Sequence, residues 1–146
     1  VKSNTAHSLP SGTSFNREAW IELIVTENDD EEICSFGNII ESDEPLNYSD
    51  ENLIFTSWIT DETGDTIFSV LEIAAIEDNT LKIFEIQEHE YHCMIPEETE
   101  YPITVTAKMR FRPFKPTALS DHPELLGNLP IFDFGTISAI VELETE

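Results

Sequence analysis

Basic residues are scarce in this chain: seven Lys and Arg stand against thirty Asp and Glu in 146 residues, a formal charge of −23. That balance excludes nucleic-acid binding by the chain's own surface, because a phosphate backbone is held by clustered Lys and Arg and repelled by carboxylates. Long apolar runs are missing as well. The longest, such as Leu23-Ile24-Val25 and Ile73-Ala74-Ala75-Ile76, fall far short of the ~20 residues of a spanning helix. Five glycines leave little material for a phosphate cradle, and no nucleophile elbow, phosphate loop, zinc-ligand spacing or dinucleotide fingerprint occurs. Carboxylates are so abundant that no glycosidase-type pair stands out from the acidic background. The chain therefore reads as a protein without catalysis of its own. It opens at Val1-Lys2-Ser3-Asn4 with no initiator Met and no apolar signal core, the expectation for a processed or excised segment.

What the chain does have is enough apolar residue, 40% with 10% aromatic, to bury one core. Period-two alternation dominates. In Ile103-Thr104-Val105-Thr106-Ala107-Lys108-Met109-Arg110-Phe111-Arg112 every odd position is apolar and every even one polar, which predicts a half-buried strand. Its odd set should face the core, and Lys108, Arg110 and Arg112 should pair with carboxylates on neighbouring strands. Further strands are expected at Ala19–Thr26, Leu53–Thr60, Thr66–Ile76, Leu81–Ile86 and Thr136–Leu143, with weaker ones at Ile33–Phe36 and Asn38–Ile40. Turn residues separate them at Glu27–Asp30, Ser42–Asn52 and Glu77–Asn79, and Asp61–Asp65 reads as a hairpin with Gly64 at positive φ. One short helix is expected near residues 118–126, with Pro123 in its first turn and Gly127 as its stop. This pattern predicts an all-β, antiparallel, two-sheet β-sandwich of immunoglobulin type. Residues 1–17 form an N-terminal segment and residues 18–146 the sandwich domain.

Cys34 and Cys93, 59 positions apart, allow a disulfide, two free thiols, or two ligands of a larger site. A bridge closing a loop of roughly 60 residues contributes ~4 kcal/mol and suits an extracellular or periplasmic domain. The acidic loops Asn28–Glu32 and Glu41–Asn52 offer oxygen ligands for calcium without matching an EF-hand. His89 and His92, three apart in an extended stretch, fall on opposite faces and do not ligate together. His122 reads as polar decoration, and Asn47-Tyr48-Ser49 fits a glycosylation sequon. A different class of function is an extracellular adhesion, filament or carbohydrate-binding sandwich, in which Trp20, Trp58 and Tyr48 present flat faces to sugar rings.

His7-Ser8-Leu9-Pro10-Ser11-Gly12, followed by Arg17-Glu18-Ala19-Trp20-Ile21-Glu22-Leu23-Ile24-Val25, resembles the start of the β-sandwich region that follows the haem-binding segment in some multihaem c-type cytochromes. Pro102–Phe114 resembles the penultimate strand of that region, and Leu129-Pro130-Ile131-Phe132-Asp133 resembles its continuation. The resemblance spans nearly the whole chain. It implies that His7 is a distal axial ligand to haem carried by a neighbouring segment, a role for which a neutral imidazole is suited. It also implies that the chain belongs to, or docks on, a multihaem cytochrome outside the cytoplasm. The departure is as telling: no Cys-x-x-Cys-His occurs, so haem c is expected on a partner chain or an upstream segment and not covalently here. Exposed sheet edges would additionally allow self-assembly.

Overall fold

The computed structural model describes residues 1–142 and is all-β, with seven strands and only short 3₁₀ turns. In chain order the strands are β1 (Glu18–Thr26), β2 (Glu32–Phe36), β3 (Ile54–Thr60), β4 (Thr66–Ile67), β5 (Ala75–Asn79), β6 (Ile103–Arg112) and β7 (Phe132–Val141). Every pairing is antiparallel. β1 pairs along its whole length with β6, and β6 with β7. The other edge of β1 is divided: Ala19 and Trp20 pair with β3, while Leu23–Thr26 pair with β2. β3 carries β4 and β5 in a second ladder, so the two ladders meet where β3 crosses from one to the other.

β1 is central because both its faces are buried. Ala19 and Ile21 pack with Leu53, Phe55 and Leu81, and Leu9, Ala107, Met109 and Phe111 close over that cluster. On the opposite face Trp20 packs with Ile39, Leu46 and Ile54. Ala107, Met109 and Phe111, odd positions of β6, thus join the apolar cluster, as period two dictates. Ile39 and Leu46 come from the turn-rich stretch between β2 and β3, which covers the sheet as a layer without being a strand. Gly37 starts that crossing at φ +62°, and a Cβ there would meet the Ile21 carbonyl oxygen at 2.6 Å. Only glycine fits so close to β1.

Several expected elements take a different form. The strand expected over Thr66–Ile76 is broken into β4, a 3₁₀ turn at Val70–Glu72 and β5, because the Ser69 hydroxyl accepts from the Leu71 N–H and starts the turn. No strand forms over Leu81–Ile86: Phe84 sits at φ 58°, the Glu85 N–H bonds the Lys82 carbonyl, and only Leu81 and Ile86 make isolated bridges, to Leu9 and Lys2. Asn38–Ile40 is likewise a loop, and His89–Cys93 is extended but unpaired in any ladder. The helix expected near 118–126 is replaced by two 3₁₀ segments, Pro116–Leu119 and Pro123–Asn128. Each begins on a proline and neither has a side-chain cap, so the stretch is too short and too interrupted for an α-helix. β7 starts at Phe132, before the expected Thr136, and Leu143 lies outside the described residues.

Candidate functional site

The N-terminal segment is fixed to the body of the protein at two points. The Ser3 N–H donates to the Glu85 carbonyl at 3.1 Å, and Leu9 exchanges both backbone bonds with Leu81 at 2.9 Å. His7 lies between these anchors. Beyond them the chain turns at Gly12 (φ +72°), Arg17 donates to the Ser11 carbonyl at 2.7 Å, and the Ser14 and Ser57 hydroxyls bond at 2.6 Å. The His7 side chain is exposed and makes no side-chain hydrogen bond among the described residues. It borders a shallow cleft of about 290 Å³ whose walls include Pro10, Ser14, Asp78 and Thr80. Hydrogen bonds from Lys82 and Thr80 hold the Asp78 carboxyl down to about 2, so an Asp78–Lys82 ion pair stands at the rim. The result is an exposed imidazole on a backbone anchored at both ends.

Behind this loop, β1 and β6 carry a ladder of opposite charges in direct register: Glu18 faces Arg112, Trp20 faces Arg110, and Glu22 faces Lys108. Glu18 and Arg112 are fully buried and ion-paired, with the Arg112 Nε donating to Glu18 at 2.7 Å. Arg112 also donates to the Ser42 and Glu44 carbonyls at 2.7 and 2.8 Å, and the Tyr48 hydroxyl donates to Glu18. Burial, then the Glu18 charge, push the Tyr48 phenol well above its ordinary value. Glu22 pairs with Lys108 at 3.1 Å and with Arg110, and Arg110 also holds Asp133 at 3.1 Å. Lys115, fully buried, places its Nζ 3.5 Å from the centre of the Trp58 ring and donates to the Ser57 carbonyl. Burial pulls its ammonium down to about 8, against the opposing pull of Glu18. The basic stripe read from β6 is thus a structural device, its charges consumed by cross-strand carboxylates.

The remaining candidates separate cleanly. Cys34 and Cys93 form a disulfide that ties β2 to the extended stretch before β6, and no cysteine is free. Glu27, Asp29 and Glu31, in the β1–β2 turn, bring carboxylate oxygens within 4.8 Å of one another. This trio overlaps the first expected calcium loop, while Glu41–Asn52 forms no such group among the described residues. Glu27 already accepts the Glu100 N–H at 2.8 Å. His89 packs edge-on against Tyr91 and contacts the Glu51 carbonyl, His92 is exposed, and His122 lies 3.3 Å from Glu124. The aromatic platform expected for a sugar-binding surface fails at Trp20, which is fully buried with its Nε1–H bonded to the Gly37 carbonyl at 2.9 Å. Its large ring fills the space between β1 and the Gly37–Leu46 crossing. Trp58 and Tyr48, the other two aromatics expected on such a surface, do share a cleft of about 530 Å³, and Asp50, Glu77, Asn79 and His89, which the sequence did not mark with them, complete its wall.

No family model matches this chain, and no curated protein matches it. Its fold is similar to that of a penta-heme cytochrome c552 from Thermochromatium tepidum, with a TM-score of 0.66 and 15% identity. The similarity covers 96% of this chain and 34% of that one, so the chain spans about a third of the cytochrome's length. Among the described residues no helix is long and apolar enough to cross a membrane.

Proposed function

We propose that this chain is the haem-free β-sandwich part of a multihaem electron-transfer assembly, positioned outside the cytoplasm, where it shields haem carried by other polypeptide and donates His7 as a distal axial ligand. The observation that carries this reading is the fold similarity over 96% of the chain to part of a penta-heme cytochrome. Two features of the chain support it. The disulfide suits an oxidising compartment, and the anchored loop offers His7 outward. In this role the chain performs no catalysis. Its rigid sheet excludes water, and a second histidine on iron favours electron transfer by filling the position at which oxygen would react.

His7→Ala in the intact assembly tests the ligand role. The expected result is conversion of one haem from a six-coordinate low-spin to a high-spin signature in magnetic circular dichroism, with the β-fold unchanged by far-ultraviolet circular dichroism. Identical haem spectra in wild type and variant reject His7 as the ligand.

The cleft whose wall includes the edge-on pair of Tyr48 and Trp58 supports a second reading, a carbohydrate-binding sandwich. Titration with a panel of soluble oligosaccharides, followed by Trp fluorescence, separates it from the first: saturable change supports sugar binding, and a flat response across the panel removes it.

A further inference from the structure

β7 is the outermost strand of its ladder: it pairs only with β6 among the described residues, and all ten of its positions are exposed. Edges of this length are normally blunted by Lys, Pro, inward charges or a covering loop, because a row of free N–H and C=O groups templates a further strand. β7 has none of these within Thr136–Val141. In a chain where a quarter of the residues are charged, Leu129–Val141 carries one charge, Asp133, and Arg110 already neutralises it at 3.1 Å. The one irregularity of register lies at the Asp133–Gly135 end and leaves Thr136–Val141 regular.

The side chains agree with the backbone. Ile137, Ala139 and Val141 stand opposite Ala107, Val105 and Ile103 and continue their apolar face outward. Ile137 is 76% exposed, and beside it lies an apolar cleft of about 500 Å³ with Leu9, Leu81, Met109 and Phe134 in its walls.

We propose that β7 is a self-pairing edge, through which two copies of this chain join antiparallel across a two-fold axis and extend the sheet. A second copy fits because antiparallel pairing of one strand with itself is isologous. A register centred on Ala139 sets Ile137 of each protomer opposite Val141 of its partner, apolar on apolar, and Thr136 opposite Glu142, with no like-charge pair among residues 136–142. The charge spared from β7 is borne elsewhere, so two bodies of −23 repel at a distance while the seam itself is neutral. Association through β7 must therefore strengthen as salt screens the bodies, the reverse of docking on a cationic partner. The inference stands independently of the haem reading.

Sedimentation velocity of the full chain tests it, between about 0.05 M and about 0.5 M NaCl, a range over which the screening length falls from ~14 Å to ~4 Å. The expected result is a monomer–dimer equilibrium whose association constant rises at least about tenfold with salt, accompanied by slowed amide exchange in β7 as concentration increases. Ile137→Lys, at an exposed position that folding does not depend on, should abolish the dimer at every salt concentration while leaving the circular dichroism intact. A chain that stays monomeric throughout, a dimer unaffected by Ile137→Lys, or association that weakens with salt overturns the proposal.

Discussion

Glu18 and Arg112 are costly side chains to hold in place, since each buries a full charge. They are tolerated because the guanidinium spends its other donors on two carbonyls and the carboxylate also receives the Tyr48 hydroxyl. Arg112→Met should therefore lower stability by about 3–5 kcal/mol, whereas Glu18→Leu combined with Arg112→Met should recover much of that loss, because no unpaired charge remains. Urea denaturation of the single and double variants checks both signs. Lys115 gives a pH signature. Its folded pKa of about 8 lies below its ordinary value, so between about pH 8 and 10 the unfolded chain binds more protons and stability rises with pH. Tyr48 acts oppositely. Its raised phenol pKa contributes stability that is lost as pH climbs above ~10, where the unfolded phenol ionises. Denaturation midpoints should rise from pH 8 towards 10 and then fall, and Lys115→Met should erase the rise.

At the scale of elements, the Cys34–Cys93 bridge fastens β2, which pairs with only part of β1, to a stretch without ladder bonds of its own. Replacing both cysteines with Ser should lower the melting temperature, corresponding to a loss of about 2–5 kcal/mol, readable by calorimetry under non-reducing conditions. Gly37→Ala should also destabilise, because the added Cβ would collide with the Ile21 carbonyl and press on Trp20 at 3.0 Å. β6 was legible from its alternation alone, and its basic face correctly implied carboxylates across the ladder. The cover over Trp20 was not: Ile39 and Leu46 are single apolar residues in a turn-rich stretch and give no period to read. Leu81–Ile86 misled for the opposite reason. It is rich in β-favouring apolar residues, yet the Glu85 N–H closes a turn onto the Lys82 carbonyl with Phe84 at positive φ, so Ile83, Phe84 and Ile86 remain exposed. His7 was singled out only through the resemblance, since nothing in a Ser-Pro-Gly loop distinguishes a ligand from a surface histidine, and the structure gives it an exposed position on an anchored loop.

For the whole molecule, the disposition of charge matters as much as its sum. Lys108, Arg110, Arg112 and Lys115 are spent on internal partners, and Lys82 is paired with Asp78. The exposed charge is consequently dominated by carboxylates. Folding gathers those charges, so added NaCl should raise the urea midpoint of the chain and level off once screening is complete; a midpoint that falls with salt would instead mean that the internal pairs are the dominant electrostatic contribution.

In the proposed role, the chain keeps its place beside a haem-bearing partner while contributing one ligand and a dry wall. The most direct measurement is the optical spectrum of the native assembly isolated through an affinity tag on this chain. The account predicts a Soret band at a fixed ratio to the chain, shifting on reduction as low-spin haem does. A fully recovered, colourless chain, isolated under conditions that preserve its native partners, would contradict it.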